Sequence, residues 1–130
     1  MRNKETVLVI EDHESIRMLM KNFLKSEYNV ITKNDGLDGL SWMSKGNIPT
    51  LIILDMSLPN ISGLEFLINI RSSGFFSGIP VIVVSGNESK DFKNQCFDLG
   101  ISHYLTKPFN PLELQTKIRI LLSQRELPSA

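Results

Sequence analysis

Cysteine is almost absent from this chain. Cys96 stands alone among 130 residues, so no disulfide within the chain and no thiol cluster can hold the fold together. It sits in a helical pattern beside Phe92, Phe97 and Leu99 and reads as a small buried hydrophobe. An excess of charge is also missing: fourteen basic residues balance fourteen acidic ones, which removes the electrostatic footprint of a nucleic-acid or anionic-membrane binder. No apolar run approaches the roughly eighteen residues of a membrane span, and the polar start MRNKET leads directly into a strand, so the expected location is the cytoplasm. Internal repeats, low-complexity stretches and a second composition regime are lacking. Residues 1–130 are therefore expected to form a single domain, with its core at about 6–123 and a C-terminal tail at 124–130. A chain of this length buries roughly two-thirds of its unfolded surface and needs no staple.

What is present is an alternation of strand and helix. TVLVIED (6–12), YNVITK (28–33), LIIL (51–54) running into Asp55, VIVVS (81–85) and ISHYLTK (101–107) read as strands. The second is polar enough for a sheet edge, whereas the unbroken apolar runs of the third and fourth suit strands covered on both faces. The first helix carries Ile16, Leu19, Met20, Phe23 and Leu24 as an apolar stripe, and the second opens at Asp35–Gly36 and turns Leu37, Leu40 and Met43 inward, ending near Gly46. Ser62 with Glu65 has capping-box spacing, predicting a third helix that buries Leu64, Leu67 and Ile68 and ends near Gly74. The fourth, from about Glu88 to Leu99, has the thinnest apolar face, resting on Phe92, Cys96 and Leu99. Asn110, Pro111 and Glu113 start a fifth helix with Leu114, Ile118, Leu121 and Leu122 inward, and Pro128 lies beyond its end. Five strands alternating with five helices call for a parallel α/β sheet with helices on both faces and right-handed crossovers.

Chemistry collects at the strand ends. Ligands in such sheets bind outside the carboxyl ends of the strands, and four of the five strands finish in Glu11 with Asp12, Asp55, Ser85 and Lys107. Like-charged carboxylates about 5 Å apart repel by about 3 kcal/mol at an effective dielectric of 20, so the edge demands positive charge. Lys107 supplies one cation. A hard divalent ion is the natural second, since magnesium accepts one or two carboxylates while keeping waters for an incoming phosphate.

The runs VLVIED, LDMSLPNISG (including Pro59, Asn60 and Gly63), VIVVSG and YLTKPF together resemble the receiver domain of two-component response regulators, from about Val7 to Leu122. The resemblance implies a flavodoxin-like, doubly wound five-stranded parallel sheet of order 2-1-3-4-5 with helices on both faces. It implies that Asp55 takes a phosphoryl group from a phosphohistidine on a sensor histidine kinase or a histidine phosphotransfer protein. Asp12 and Asp55 would hold magnesium directly, with the main-chain carbonyl of Ser57, and Glu11 would hold it through water. Lys107 would pair with Asp55 and then with the phosphoryl group, Ser85 would bond that group through its hydroxyl, and Tyr104 would be the aromatic switch. A cis Lys107–Pro108 bond is also implied.

In this scheme phosphorylation draws Ser85 inward and lets Tyr104 turn from solvent into the protein. The readout surface would then be the fourth helix, last strand and last helix, including Lys90, Lys93, His103, Tyr104 and Arg119. Its target is expected to be a protein. The domain itself is not expected to bind nucleic acid or membrane, or to catalyse anything beyond its own phosphotransfer and slow self-dephosphorylation. Several residues depart from common receivers: Glu11 for the commoner Asp, Gly86 for Ala after Ser85, and His103 where one DNA-binding subfamily has an acid used in its dimer. A phosphorylation-dependent dimer stays open. His13 and His103 read as loop or edge residues rather than phosphodonors, and two lone histidines make no metal site.

Two rival functions compete with this reading. A magnesium-dependent phosphohydrolase with an aspartate nucleophile wants a second Asp two residues later, where this chain has Ser57. A pseudo-receiver that is never phosphorylated would not keep acceptor, acids, hydroxyl and lysine together. No output domain is expected after the last helix, and both a stand-alone receiver and a segment of a larger regulator or hybrid kinase stay open.

Overall fold

The apolar runs become a five-stranded parallel sheet in the computed structural model, which describes residues 4–58 and 60–126. Pro59, Pro128 and the end of the tail lie outside the described residues. In chain order the elements are β1 (Thr6–Ile10), α1 (Glu14–Leu24), β2 (Asn29–Lys33), α2 (Gly36–Ser44), β3 (Leu51–Asp55), α3 (Gly63–Arg71), β4 (Val81–Ser85), α4 (Lys90–Asp98), β5 (His103–Thr106) and α5 (Pro111–Glu126). The spatial order is β2-β1-β3-β4-β5, as the resemblance implied. β3 and β4 are buried along their whole length because each has a strand on either side and helices on both faces.

Side-chain alternation along the strands sorts the core into two layers. Val7, Val9, Ile53, Ile82 and Val84 face Met20 and Leu24 of α1 and Leu114, Ile118 and Leu122 of α5. Leu8, Ile10, Ile52, Leu54 and Val83 face Met43 of α2, Phe66, Leu67 and Ile70 of α3, and Cys96 of α4.

Asp35 and Ser62 cap their helices as the sequence predicts, and Ser89 adds a cap to α4 that the sequence reading did not single out. Asp35 accepts from the Asp38 N–H, Ser62 from Glu65 and Ser89 from Phe92, and Pro111 opens α5. The helix faces need correction at three positions, since Leu19, Leu37 and Ile68 are exposed. In α3 the sheet covers Gly63, Phe66, Leu67 and Ile70, spaced i, i+3, i+4 and i+7, so Ile68 is rotated outward. Gly74 does not end that helix: Ser72 is its C-cap, and Gly74 falls in the turn beyond. β1 stops at Ile10, so Glu11 and Asp12 belong to the loop after it. Only Cys96 of α4 is buried, which makes it the least embedded helix, as expected.

Candidate functional site

Strand register assembles the site. Ile10 pairs with Leu54, so the next residues, Glu11 and Asp55, leave β1 and β3 side by side. Asp55 is level with Val84, Ser85 is level with Thr106, and the Lys107 N–H donates to the Ser85 carbonyl at 2.8 Å. Among the described residues the buried polar or charged side chains are Glu11, Asp55 and Ser85, and all three stand at this edge. Burying two carboxylates together is costly unless they serve a bound charge.

Lys107 answers part of that demand. Its Nζ lies 3.2 Å from Glu11 Oε1 and 3.4 Å from Asp55 Oδ1, and the Lys107–Pro108 bond is cis. The Ser57 N–H donates to Asp55 Oδ1 at 3.1 Å. Glu11 Oε1, Asp12 Oδ1 and Asp55 Oδ2 are buried and have no hydrogen-bond donor outside the acid cluster; Lys107 lies in ionic contact with the first, and His13 is 3.3 Å from the second. Burial pushes the Asp55 carboxyl up to about 6, opposed by the Ser57 N–H, reinforced by the charge of Glu11 and opposed again by Lys107. Burial also works upward on Asp12, but hydrogen bonding with Asp55 and Glu11 and the charge of His13 prevail and hold it below the usual carboxylate range. Lys107 is raised: burial opposes its charge, and Asp55 and Glu11 together outweigh burial.

These residues fit a cation. One ligand atom from each of Glu11, Asp12, His13 and Asp55 can be chosen so that all lie within 4.8 Å of one another. Carboxylate oxygens that lack donors are what a hard divalent ion requires.

The remaining expected residues also meet here. Ser85 Oγ accepts from the Asn87 N–H at 3.0 Å. Tyr104 stands part-way between solvent and interior. It is half-buried, its hydroxyl donates to the Asn87 carbonyl at 2.6 Å, and its ring meets Phe92 edge-on at 6.4 Å with Lys93 Nζ 5.4 Å from its centroid. The β4–α4 loop offers that carbonyl directly, and Phe92 supplies apolar cover. Gly86 leaves open space in the same loop, since a Cβ there would meet nothing within 4 Å.

Three features escaped the sequence reading. Arg17 donates to the carbonyls of Glu11 at 2.9 Å and Asp12 at 3.4 Å, fixing the backbone that presents both acids. His13 folds back on those acids from the start of α1. Ile16, Leu19, Pro108 and Phe109 line an apolar groove of about 380 Å3 that reaches Lys107. The available signal was spacing, because Arg17 lies one helical turn past His13 and so above the β1 end.

Comparison with known proteins agrees with this geometry. A family model described as the response regulator receiver domain matches residues 7–119. The uncharacterized transcriptional regulatory protein YkoG of Bacillus subtilis is 37% identical over 122 residues, covering 93% of this chain and 52% of that protein. Histidine kinase P4 of Formosa agariphila is 33% identical over 124 residues, covering 95% of this chain but 9% of the kinase. The chain thus spans about half or less of these relatives. A CheY-like receiver domain protein from Methanospirillum hungatei superimposes with a TM-score of 0.87 at 26% identity, covering 95% of this chain and 98% of that one. The Mn(2+)-bound form of response regulator Rcp1 does so with a TM-score of 0.78 at 26% identity, covering 96% and 97%. Described helices long and apolar enough to cross a membrane are absent. Sequence relationship, sheet order and the acid-and-lysine edge converge: the chain belongs to the response regulator receiver domain family, the phosphorylation-activated switch of two-component signalling, rather than to a family of enzymes.

Proposed function

We propose that residues 1–130 act as one cytoplasmic receiver unit in which Asp55 accepts a phosphoryl group from a histidine kinase or a histidine phosphotransfer protein. One observation carries this reading: Asp55 Oδ2 is buried without a hydrogen-bond donor, while Lys107 and the Ser57 N–H hold the other oxygen. An oxygen kept clear of donors retains its lone pairs for attack. That oxygen forms the new bond to phosphorus as the bond from phosphorus to the donor imidazole nitrogen breaks, and the nitrogen keeps the electron pair. The product is an acyl phosphate.

Asp12, Asp55 and the Ser57 carbonyl are the proposed direct holders of Mg2+, with Glu11 acting through water. When bound, that ion supplies charge neutralisation and alignment of the phosphoryl oxygens. Lys107 is free to leave Asp55 Oδ1 for a phosphoryl oxygen without losing Glu11. Ser85 Oγ accepts from the Asn87 N–H and also meets the Tyr104 hydroxyl, and its own proton can turn to the phosphoryl group. A phosphoryl group adds about −1.5 to −2 charges and strong acceptors. Engaging Ser85 then pulls on the Asn87 loop, to which Tyr104 is tied. The surface that changes is α4, β5 and α5, with Lys90, Lys93, His103, Tyr104 and Arg119, and the recipient is a protein.

The apolar groove beside Lys107 supports docking of the phosphodonor protein there. Ser57, not an acid, stands two residues after Asp55, so the acyl phosphate should persist for minutes or longer, which disfavours the hydrolase alternative. The test is intact mass after incubation with acetyl phosphate and Mg2+. One added phosphoryl group is expected on the wild type and none on Asp55→Asn. Equal labelling of the variant would move the acceptor elsewhere.

A further inference from the structure

His13 does not behave as an ordinary loop histidine. It precedes α1 with extended backbone, yet its side chain makes no capping hydrogen bond to the helix. Instead Nδ1 lies 3.3 Å from Glu11 Oε2 and 3.3 Å from Asp12 Oδ1, and the residue's own N–H donates to Glu11 Oε2 at 3.1 Å. Nδ1 and Glu11 Oε2 are hydrogen-bonded partners as they stand, and because two ligands about 2.1 Å from one ion and at right angles to each other lie about 3 Å apart, the same separation suits neighbours around a shared cation. Glu11 and Asp55 are almost wholly buried, Asp55 Oδ2 has no hydrogen-bond donor, and one ligand atom from each of Glu11, Asp12, His13 and Asp55 lies within 4.8 Å of the others.

We propose that His13 Nδ1 joins Asp12 and Asp55 as a ligand, beside Glu11, and so gives this pocket a preference for imidazole-binding first-row divalent ions, such as Co2+, Ni2+ or Zn2+, over Mg2+. This inference rests on the cation-site reading above and adds to it a nitrogen donor and the selectivity that follows. Magnesium gains little from imidazole and holds its waters, whereas later first-row ions bind nitrogen firmly and follow a rising affinity order through nickel and copper. The imidazole is well placed to turn, because its side chain is 64% exposed and can carry its other ring nitrogen's proton to solvent.

The composition makes the test clean. The chain has two histidines and one cysteine; Cys96 is buried, and His103 opens β5 at the end opposite Lys107. Affinities for Ni2+ and Mg2+ should be measured by calorimetry on the full chain, with His13→Ala, His13→Gln, His103→Ala and Asp12→Ala as variants. Mn2+-loaded samples should be examined for nitrogen hyperfine coupling by pulsed EPR. The expected result is Ni2+ binding tighter than Mg2+ in the wild type and weakened about tenfold or more in both His13 variants, at least what losing an outer-shell partner costs. Mg2+ affinity should hardly change in those variants, and the nitrogen coupling should vanish with His13 but survive in His103→Ala. Ni2+ affinity indifferent to His13, or coupling that disappears with His103 instead, would overturn the inference. The cation-site reading is judged separately by whether Asp12→Ala removes Mg2+ binding.

Discussion

Replacing Asp55 by asparagine should stabilise the metal-free protein at neutral pH even as it destroys the proposed acceptor. The fold raises the Asp55 carboxyl from 3.8 to about 6, chiefly by burial. A group whose pKa is raised by folding binds its proton more tightly in the folded chain than in the unfolded one. The stability it lends is complete below about 3.8 and is lost as pH rises through about 6. At pH 7 the wild type therefore carries an ionised, buried carboxylate as a penalty, with a ceiling of about 3 kcal/mol for a shift of this size. The asparagine amide would retain an oxygen for the Ser57 N–H, and Lys107 would keep Glu11, so little is lost in exchange. The Asp12 carboxyl, held down partly by Asp55, gives some of the gain back. A net of about 1–3 kcal/mol is expected, or about 3–10 °C in Tm for a domain of this size. Urea unfolding in EDTA from pH 4 to pH 8 measures it. The variant should be the more stable protein at pH 7 and lose its advantage near pH 4, while Mg2+ should narrow the gap by stabilising the wild type. A variant no more stable than the wild type at pH 7, or an advantage independent of pH, would refute this account of the buried acid.

Two further changes test how the edge is built. Gly63→Ala would place a Cβ 2.5 Å from Met56 Cα and 2.8 Å from the Asp55 carbonyl oxygen. Backbone must shift to admit it, so a loss of about 1–3 kcal/mol is expected in thermal denaturation, together with slower labelling by acetyl phosphate; a variant as stable as the wild type would show that the loop is slack. Arg71 donates to the carbonyls of Leu99, Ser77, Ile79 and Gly100. Arg71→Ala should cost about 3 kcal/mol or more in urea unfolding, and Arg71→Lys should recover only part, because one ammonium cannot reproduce a planar fork spread over four acceptors; full recovery by Lys would reduce the role to charge alone.

The features legible beforehand were those written in local chemistry. LIIL before Asp55 suited a strand covered on both sides, which β3 is, and Ser62 with Glu65 marked a helix start that the hydrogen bond between them bears out. Strand ends carrying Glu11, Asp55, Ser85 and Lys107 were bound to meet once the strands ran parallel. What was misjudged depends on contacts distant in sequence. Leu64, Leu67 and Ile68 make a plausible stripe, but the sheet above α3 accepts Phe66 and Ile70, and no spacing rule chooses between two overlapping apolar faces. Leu19 looked like core, yet α1 buries Met20 and Leu24 and leaves Leu19 at the rim of the groove with Phe109. The placement of His13 and Arg17 follows from how the first turn of α1 settles on the end of β1. Tyr104 is half-covered because the Asn87 carbonyl reaches its hydroxyl and Phe92 meets its ring, and no residue pattern announces that.

The four bonds of Arg71 have a mechanical meaning for α4. Two of them grip Leu99 and Gly100, where that helix ends, and the other two grip Ser77 and Ile79 just ahead of β4. The opposite end begins at Ser89, two residues past Asn87, where backbone and side-chain bonds to Ser85 and Tyr104 converge. A single buried residue, Cys96, lies between. The helix is thus mounted like a door, with its hinge at the guanidinium and its latch beside the phosphorylation edge. A small displacement of the Asn87 loop would be expected to swing the helix most at Lys90 and least toward Leu99, so a partner reading this domain would sense the angle of α4 at its latch end.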